Sequence, residues 1–232
     1  MFPLRFKDLA SISGVHAVYG PSEGEKAPSQ MANRVKGILS KYPELADVKV
    51  YRSNRDAYDY INNAIHVRSR DADILAHEME HAASLRDASP TYKKLLAVSQ
   101  SAVKLNNTFA LPALVALGNT IEDPSKKRAV YKTLLGLSAV AAAPNIWEEA
   151  KASANVVMDS PDQIQSLKTL LPAFGSHLVH DLTGAGVYLG ALKLQQHADG
   201  ERAKADRSLA RRVKAEMALV SASDKKKSVG KK

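Results

Sequence analysis

Two histidines four residues apart, His77 and His81, have the clearest capacity for chemistry in this chain of 232 residues. On a helix, positions i and i+4 lie one above the other on the same face. Both imidazoles can then bind a single divalent ion, at N–metal distances near ~2.0–2.1 Å for zinc. Glu78 stands beside His77, close enough to accept a proton from a water on that ion. The ion would lower that water's pKa toward ~7, making hydroxide available at neutral pH to attack a carbonyl carbon. A shuffled chain of this composition carries roughly 0.01 copies of the pattern His-Glu-x-x-His, so chance accounts for it poorly. Two histidines and a glutamate are also poor choices for a core-facing stripe.

A catalytic zinc usually takes three protein ligands and keeps one open position. No third histidine follows at short range, since Leu85–Ala88 contains neither glycine nor histidine. The candidate for a distant ligand is the alanine-rich run Ile146–Asn155, with the adjacent carboxylates Glu148 and Glu149. The alternative is a solvated helix N-terminus behind Pro144, where acidic residues complement the macrodipole. Residue chemistry leaves these two readings level. His177 and His180 are three apart on an expected helix and could stabilise the oxyanion of a tetrahedral intermediate, as could Tyr188. Each also fits an ordinary packing role, and His66 fits a half-exposed strand position.

These side chains need elements to hold them. Met31, Val35, Ile38 and Leu39 recur at helical spacing from about Pro28 until Pro43 ends the run. Residues 48–51 alternate like a short strand, and Ala64–Val67 forms a second one behind the turn-prone pair Asn62-Asn63. Asp71 suits the N-cap or first turn of a helix over about Ala72–Leu85, which carries both histidines. Ala17–Ser29 reads as a loop. Beyond residue 90 the chain is mostly helical, with apolar segments at Thr108–Gly118, Ala129–Ala143 and Leu167–Leu194. None has the eighteen or so uninterrupted apolar residues of a confident membrane span, so a core helix and a re-entrant hairpin both fit. The fold class expected is mainly α (α+β), with a sheet of two or three strands beside the metal helix.

With these motifs in place, the chain resembles the gluzincin metallopeptidases, whose third zinc ligand is a glutamate in a downstream helix written ExxA(D/S)xxA. Glu149-Ala150-Lys151-Ala152-Ser153 is similar to that motif, which implies a zincin-like domain with Glu149 as the third ligand and Ser153 orienting a ligating histidine. Serine at that point is closer to the YugP-type neutral zinc metallopeptidases than to the HtpX-type. The resemblance extends over about 160 of the 232 residues, loosely outside the two motifs, through the small-residue run Leu182–Leu192. It implies a zinc-dependent metallopeptidase acting on a peptide or protein substrate, with Glu78 as general base and then general acid. Three features depart from the family: residues 1–30 show no initial membrane helix, Glu80 replaces the usual glycine of HExGH, and the apolar hairpin is short and polar.

Composition bounds the alternatives. Apolar residues make up 45% and charged residues 25%, an ordinary globular balance that excludes wholesale disorder. Cysteine is lacking, which excludes disulfide scaffolds and Cys-ligated metal sites. The net charge of +9 is uneven, with +6 in residues 198–232 and +3 in residues 1–197. We therefore expect a metallopeptidase domain over 1–197 and a basic helix and tail over 198–232, with Leu209, Val213, Met217, Leu219 and Val220 as an apolar stripe. This extension suits a solvated helix, or docking on an anionic membrane surface or an assembly partner. No base-reading module accompanies it, so a sequence-specific nucleic-acid role is not expected. Met1–Lys7 reads as no signal peptide, giving a cytoplasmic or membrane-associated protein. The second functional reading is an inactive zincin-fold component of a larger assembly, for example a virion.

Overall fold

Alternation in Lys49-Val50-Tyr51-Arg52 and the apolar run Ala64–Val67 place two strands side by side at the centre of a small sheet. In the computed structural model, which describes residues 4–20 and 26–229, these are β2 (Lys49–Arg52) and β4 (Ala64–Val67). They pair in parallel, with Val50 opposite Ile65 and Tyr51 opposite His66. Ala64, Ile65 and Val67 are all buried, as expected for a strand covered on both faces. The sheet has four strands where two or three were expected, in the order β1-β2-β4-β3. The additions are β1 (Leu4–Arg5) and β3 (Ala57–Asp59), both too short to leave a period in the sequence. Asn63, with φ of +47°, closes the turn between β3 and β4, a left-handed conformation asparagine tolerates.

The region expected as a loop is partly helical. Helix α1 (Ile12–Tyr19) starts where the Ser11 hydroxyl accepts the Gly14 N–H, and Gly20 at φ +77° ends it. Helix α2 spans Lys26–Lys41, while residues 21–25 of that expected loop lie outside the described ones. Phe6, Leu9, Met31, Val35, Leu45, Val50, Ile65, Leu75 and Met79 form one core between the sheet and the first helices. Helix α3 (Ala72–Arg86) matches the expected metal helix, and the Asp71 carboxylate accepts the N–H groups of Asp73 and Ile74 as its N-cap.

The apolar segments beyond residue 90 merge into three long helices, α4 (Pro90–Thr120), α5 (Pro124–Met158) and α6 (Gln163–Val229). Pro112, Pro144 and Pro172 lie inside them. An interior proline costs about 3 kcal/mol or more. In α5 that cost is met by tertiary packing, since Ala142, Asn145, Glu148 and Ala152 bury one continuous face across Pro144. Glu148 and Glu149 are thus mid-helix residues, not residues of a solvated N-terminus. No helix is long and apolar enough to cross a membrane among the described residues. Mainly α with a small sheet is the class observed.

The chain divides into two compact units, Met1–Thr108 with Ser138–Thr183, and Phe109–Leu137 with Gly184–Lys232. The first contains the sheet, the core and the two histidines. The second is helical, with Arg128 and Asp199 paired at 2.5 Å and Gln195 donating to the Pro124 carbonyl. The expected boundary near residue 197 falls within α6, whose exposed Leu209, Val213 and Met217 form the anticipated stripe. The side chains of Leu219 and Val220, and residues 230–232, lie outside the described set.

Because Asp71 caps the helix that carries both histidines, Asp71→Ala should lower unfolding free energy by about 1 kcal/mol in a urea titration.

Candidate metal centre

Helix α3 turns His77 and His81 onto one buried face, as the i, i+4 spacing requires. Their rings meet edge to face at 86°, and their Nε2 atoms are 3.1 Å apart. Glu149 on α5 completes the group, with Oε2 3.1 Å from His77 Nε2 and Oε1 3.6 Å from His81 Nε2. A tetrahedral ion with ligands at ~2.0–2.1 Å holds its ligand atoms roughly 3.3 Å from one another. The three separations bracket that value, and two imidazole nitrogens with a carboxylate oxygen are a borderline-soft set suited to zinc. The residues therefore fit the ion that the motif implies.

Two further side chains touch this group. The Ser153 hydroxyl lies 3.3 Å from His77 Nδ1, one helical turn along α5 from Glu149. A contact at Nδ1 leaves Nε2, the nitrogen facing His81 and Glu149, as the atom that could take an ion. His177 Nδ1 is 3.7 Å from Glu149 Oε1, on a half-exposed side chain at the rim of the group.

Electrostatics sort the titratable groups. Burial alone would raise Glu149, but His77 and His81 beside it hold its carboxyl well below the usual carboxylate range. Burial lowers the His77 imidazole. Burial acts the same way on His81, but the Glu149 carboxylate outweighs it and raises that ring. Burial pushes the Glu78 carboxyl up to about 7, opposed by His81 and the Tyr58 N–H and reinforced by Glu149 and Asp56. A carboxyl poised near neutrality suits proton transfer in both directions. Glu78 and His77 line an open cleft of about 270 Å³, together with Asn54, Arg55, Asp56, Arg68, Ile74, Ala173 and His177.

The other expected residues are placed elsewhere. His180 is largely exposed and pairs at 3.1 Å with its neighbour Asp181 instead of reaching the histidine pair. Tyr188 belongs to the second unit, outside the one holding the metal group. His66 stacks on Tyr51 across the sheet, 5.6 Å between ring centres. Glu148 turns from the histidines to accept hydrogen bonds from Tyr92 Oη at 2.5 Å and Ser84 Oγ at 3.1 Å.

Glu80, where the family has its usual glycine, is directed away from the histidine pair. It accepts from Asn155 Nδ2 at 2.9 Å and Tyr42 Oη at 3.3 Å, and Lys41 Nζ lies 3.7 Å off. Sequence reading misses this set and the Arg55–Arg68 side of the cleft. Asn155 and Glu80 are 75 residues apart, and no local pattern records such a contact.

Because Glu80 is a buried partner of Asn155 and Lys41 and not a ligand, Asn155→Ala should destabilise the fold by about 1–3 kcal/mol in urea. Metal content in that variant should equal that of the wild type when read by mass spectrometry.

Comparison with protein families, with curated proteins and with solved structures finds nothing that matches this chain.

Proposed function

We propose that this protein is a zinc-dependent metallopeptidase of gluzincin type. The observation carrying this reading is the convergence of His77 Nε2, His81 Nε2 and a Glu149 oxygen within 4.8 Å of one another, with Glu78 adjacent on α3. His77, His81 and Glu149 would hold the ion. Bound there, zinc supplies Lewis acidity and brings the pKa of a water toward ~7.

The chain's own residues do the rest. Glu78, buried at the edge of the cleft, takes a proton at its carboxylate and returns it to the leaving amine. Ser153 keeps the His77 ring oriented, and His77 and His81 favour the charged form of Glu149. His177, at the rim beside Glu149, is the residue best placed to donate to developing negative charge on substrate. A peptide substrate is supported by the outer strand β3, which follows directly from the cleft residue Asp56 and offers a sheet edge for an extended chain.

A second reading has its own observation. Leu209, Val213 and Met217 are exposed on the basic end of α6, a surface suited to anionic lipid or an assembly partner. A zinc-stabilised, inactive protein docking through that surface, at a membrane or within a virion, is the alternative.

Metal content by mass spectrometry tests the centre. Wild type should carry near one zinc per chain, Glu149→Ala clearly less, and equal zinc in both would remove Glu149 from the ligand set. Ser153→Ala should weaken zinc affinity by about ten-fold in a chelator competition, as removal of a ligand's hydrogen-bond partner does. Glu78→Gln should retain zinc and lower peptide cleavage by about 10²–10⁴-fold. Undiminished cleavage by Glu78→Gln would overturn the mechanism. If no peptide is cleaved by the zinc-loaded wild type, the docking reading takes its place.

A further inference from the structure

The cleft beside Glu78 has a basic wall that the proposed chemistry leaves unused. Arg55 sits in the connection between β2 and β3, and Arg68 directly follows β4, so one end of the sheet delivers both to the same opening. Both residues are exposed. Neither guanidinium pairs with a carboxylate among the described residues.

The backbone beneath Arg68 is fixed. Its N–H donates to Asp56 Oδ1 at 2.7 Å, and its carbonyl accepts from Arg52 Nη1 at 2.6 Å. Asp56, the acidic residue within this wall, also accepts the Ser69 N–H at 2.9 Å, so the same oxygen is committed to the backbone. Ile74 and Ala173 supply an apolar surface in the same cleft. Two guanidinium groups on neighbouring loops, which Asp56 ties together through the Arg68 and Ser69 N–H groups, are a recognition element for a carboxylate, because their planar donor forks match its two oxygens.

We infer that Arg55 and Arg68 select substrates presenting a carboxylate next to the bond cleaved. This inference rests on the peptidase reading and names its substrate class. The carboxylate can come from a glutamate or aspartate side chain, or from the free C-terminus of a short peptide. An anion held there lies on the Glu78 side of the zinc ligands, so the arginines act on binding and register, and proton transfer stays with Glu78.

The experiment uses the full chain loaded with zinc and internally quenched peptides of one length. They carry Glu or the isosteric Gln beside the central bond, each with a free or an amidated C-terminus. Wild type should favour Glu over Gln by about ten-fold in kcat/KM, mainly through KM. The Arg55→Gln/Arg68→Gln double variant should reduce that ratio, read between the two peptides on the same protein, to about two or less. A preference that follows the free C-terminus, and not the side chain, would identify the terminal carboxylate as the source. Cleavage without either preference overturns the inference and leaves the peptidase reading intact.

A binding arm separates the two claims. Peptides bearing a neutral dye are titrated onto Glu78→Gln, with and without the two arginine substitutions, and read by fluorescence anisotropy. Tighter binding of a carboxylate peptide, lost with the arginines, supports the inference even where the wild type cleaves nothing. Equal binding of charged and neutral peptides overturns it. Both substituted arginines are exposed, and thermal melts of the variants should overlay that of the wild type.

Discussion

Five ionisable residues, His77, Glu78, Glu80, His81 and Glu148, are buried where α3 faces α5 and its neighbours. Removing so many titratable groups from water is costly unless each finds a partner. Here four of the five find partners across α3 and α5, and Glu78 accepts the Tyr58 N–H. Ser84 meets Glu148 and Lys151, the two histidines meet Glu149, His77 also meets Ser153, and Glu80 meets Asn155. These contacts tie α5 to α3 and require the two helices to stay in register. Much of the first unit is built around that requirement: Asp71 caps α3, the sheet supports it from beneath, and Lys41 and Tyr42 reach Glu80 from the end of α2.

The same register that satisfies buried charge also produces the proposed site. Within one network the groups are held in different ways. Glu149 is kept ionised by two imidazoles, whereas burial raises the Glu78 carboxyl to near neutrality at the wall of an open cleft. One carboxylate is thereby suited to hold a cation and the other to move a proton. Glu148, one residue from Glu149, is held by Tyr92 and Ser84 and serves packing instead. Neighbouring glutamates on one helix find different partners because adjacent positions point about 100° apart.

Much of this was legible in the residues themselves. The i, i+4 histidines, the Asp71 cap and the strands at 49–52 and 64–67 are local patterns, and local patterns survive folding. Helix α1 was missed because its signals, Ser11 and Gly20, flank only eight residues. The long helices were read as shorter apolar segments, 108–118, 129–143 and 167–194, because polar stretches separate the apolar runs that hydropathy picks out, although the backbone stays helical through them. The choice of Glu149 over Glu148 could not be made from residue chemistry. It depends on which glutamate faces α3, and that is set by partners more than sixty residues away. His180 was paired with His177 by spacing alone, whereas its neighbour Asp181 engages it.

Anomalous diffraction at the zinc edge, from crystals of the full chain grown with zinc, tests the central claim most directly. The account predicts one strong peak about 2.0–2.1 Å from His77 Nε2, His81 Nε2 and a Glu149 oxygen. A peak at Glu148, Glu80 or His180, or no ordered ion between His77 and His81, would contradict it.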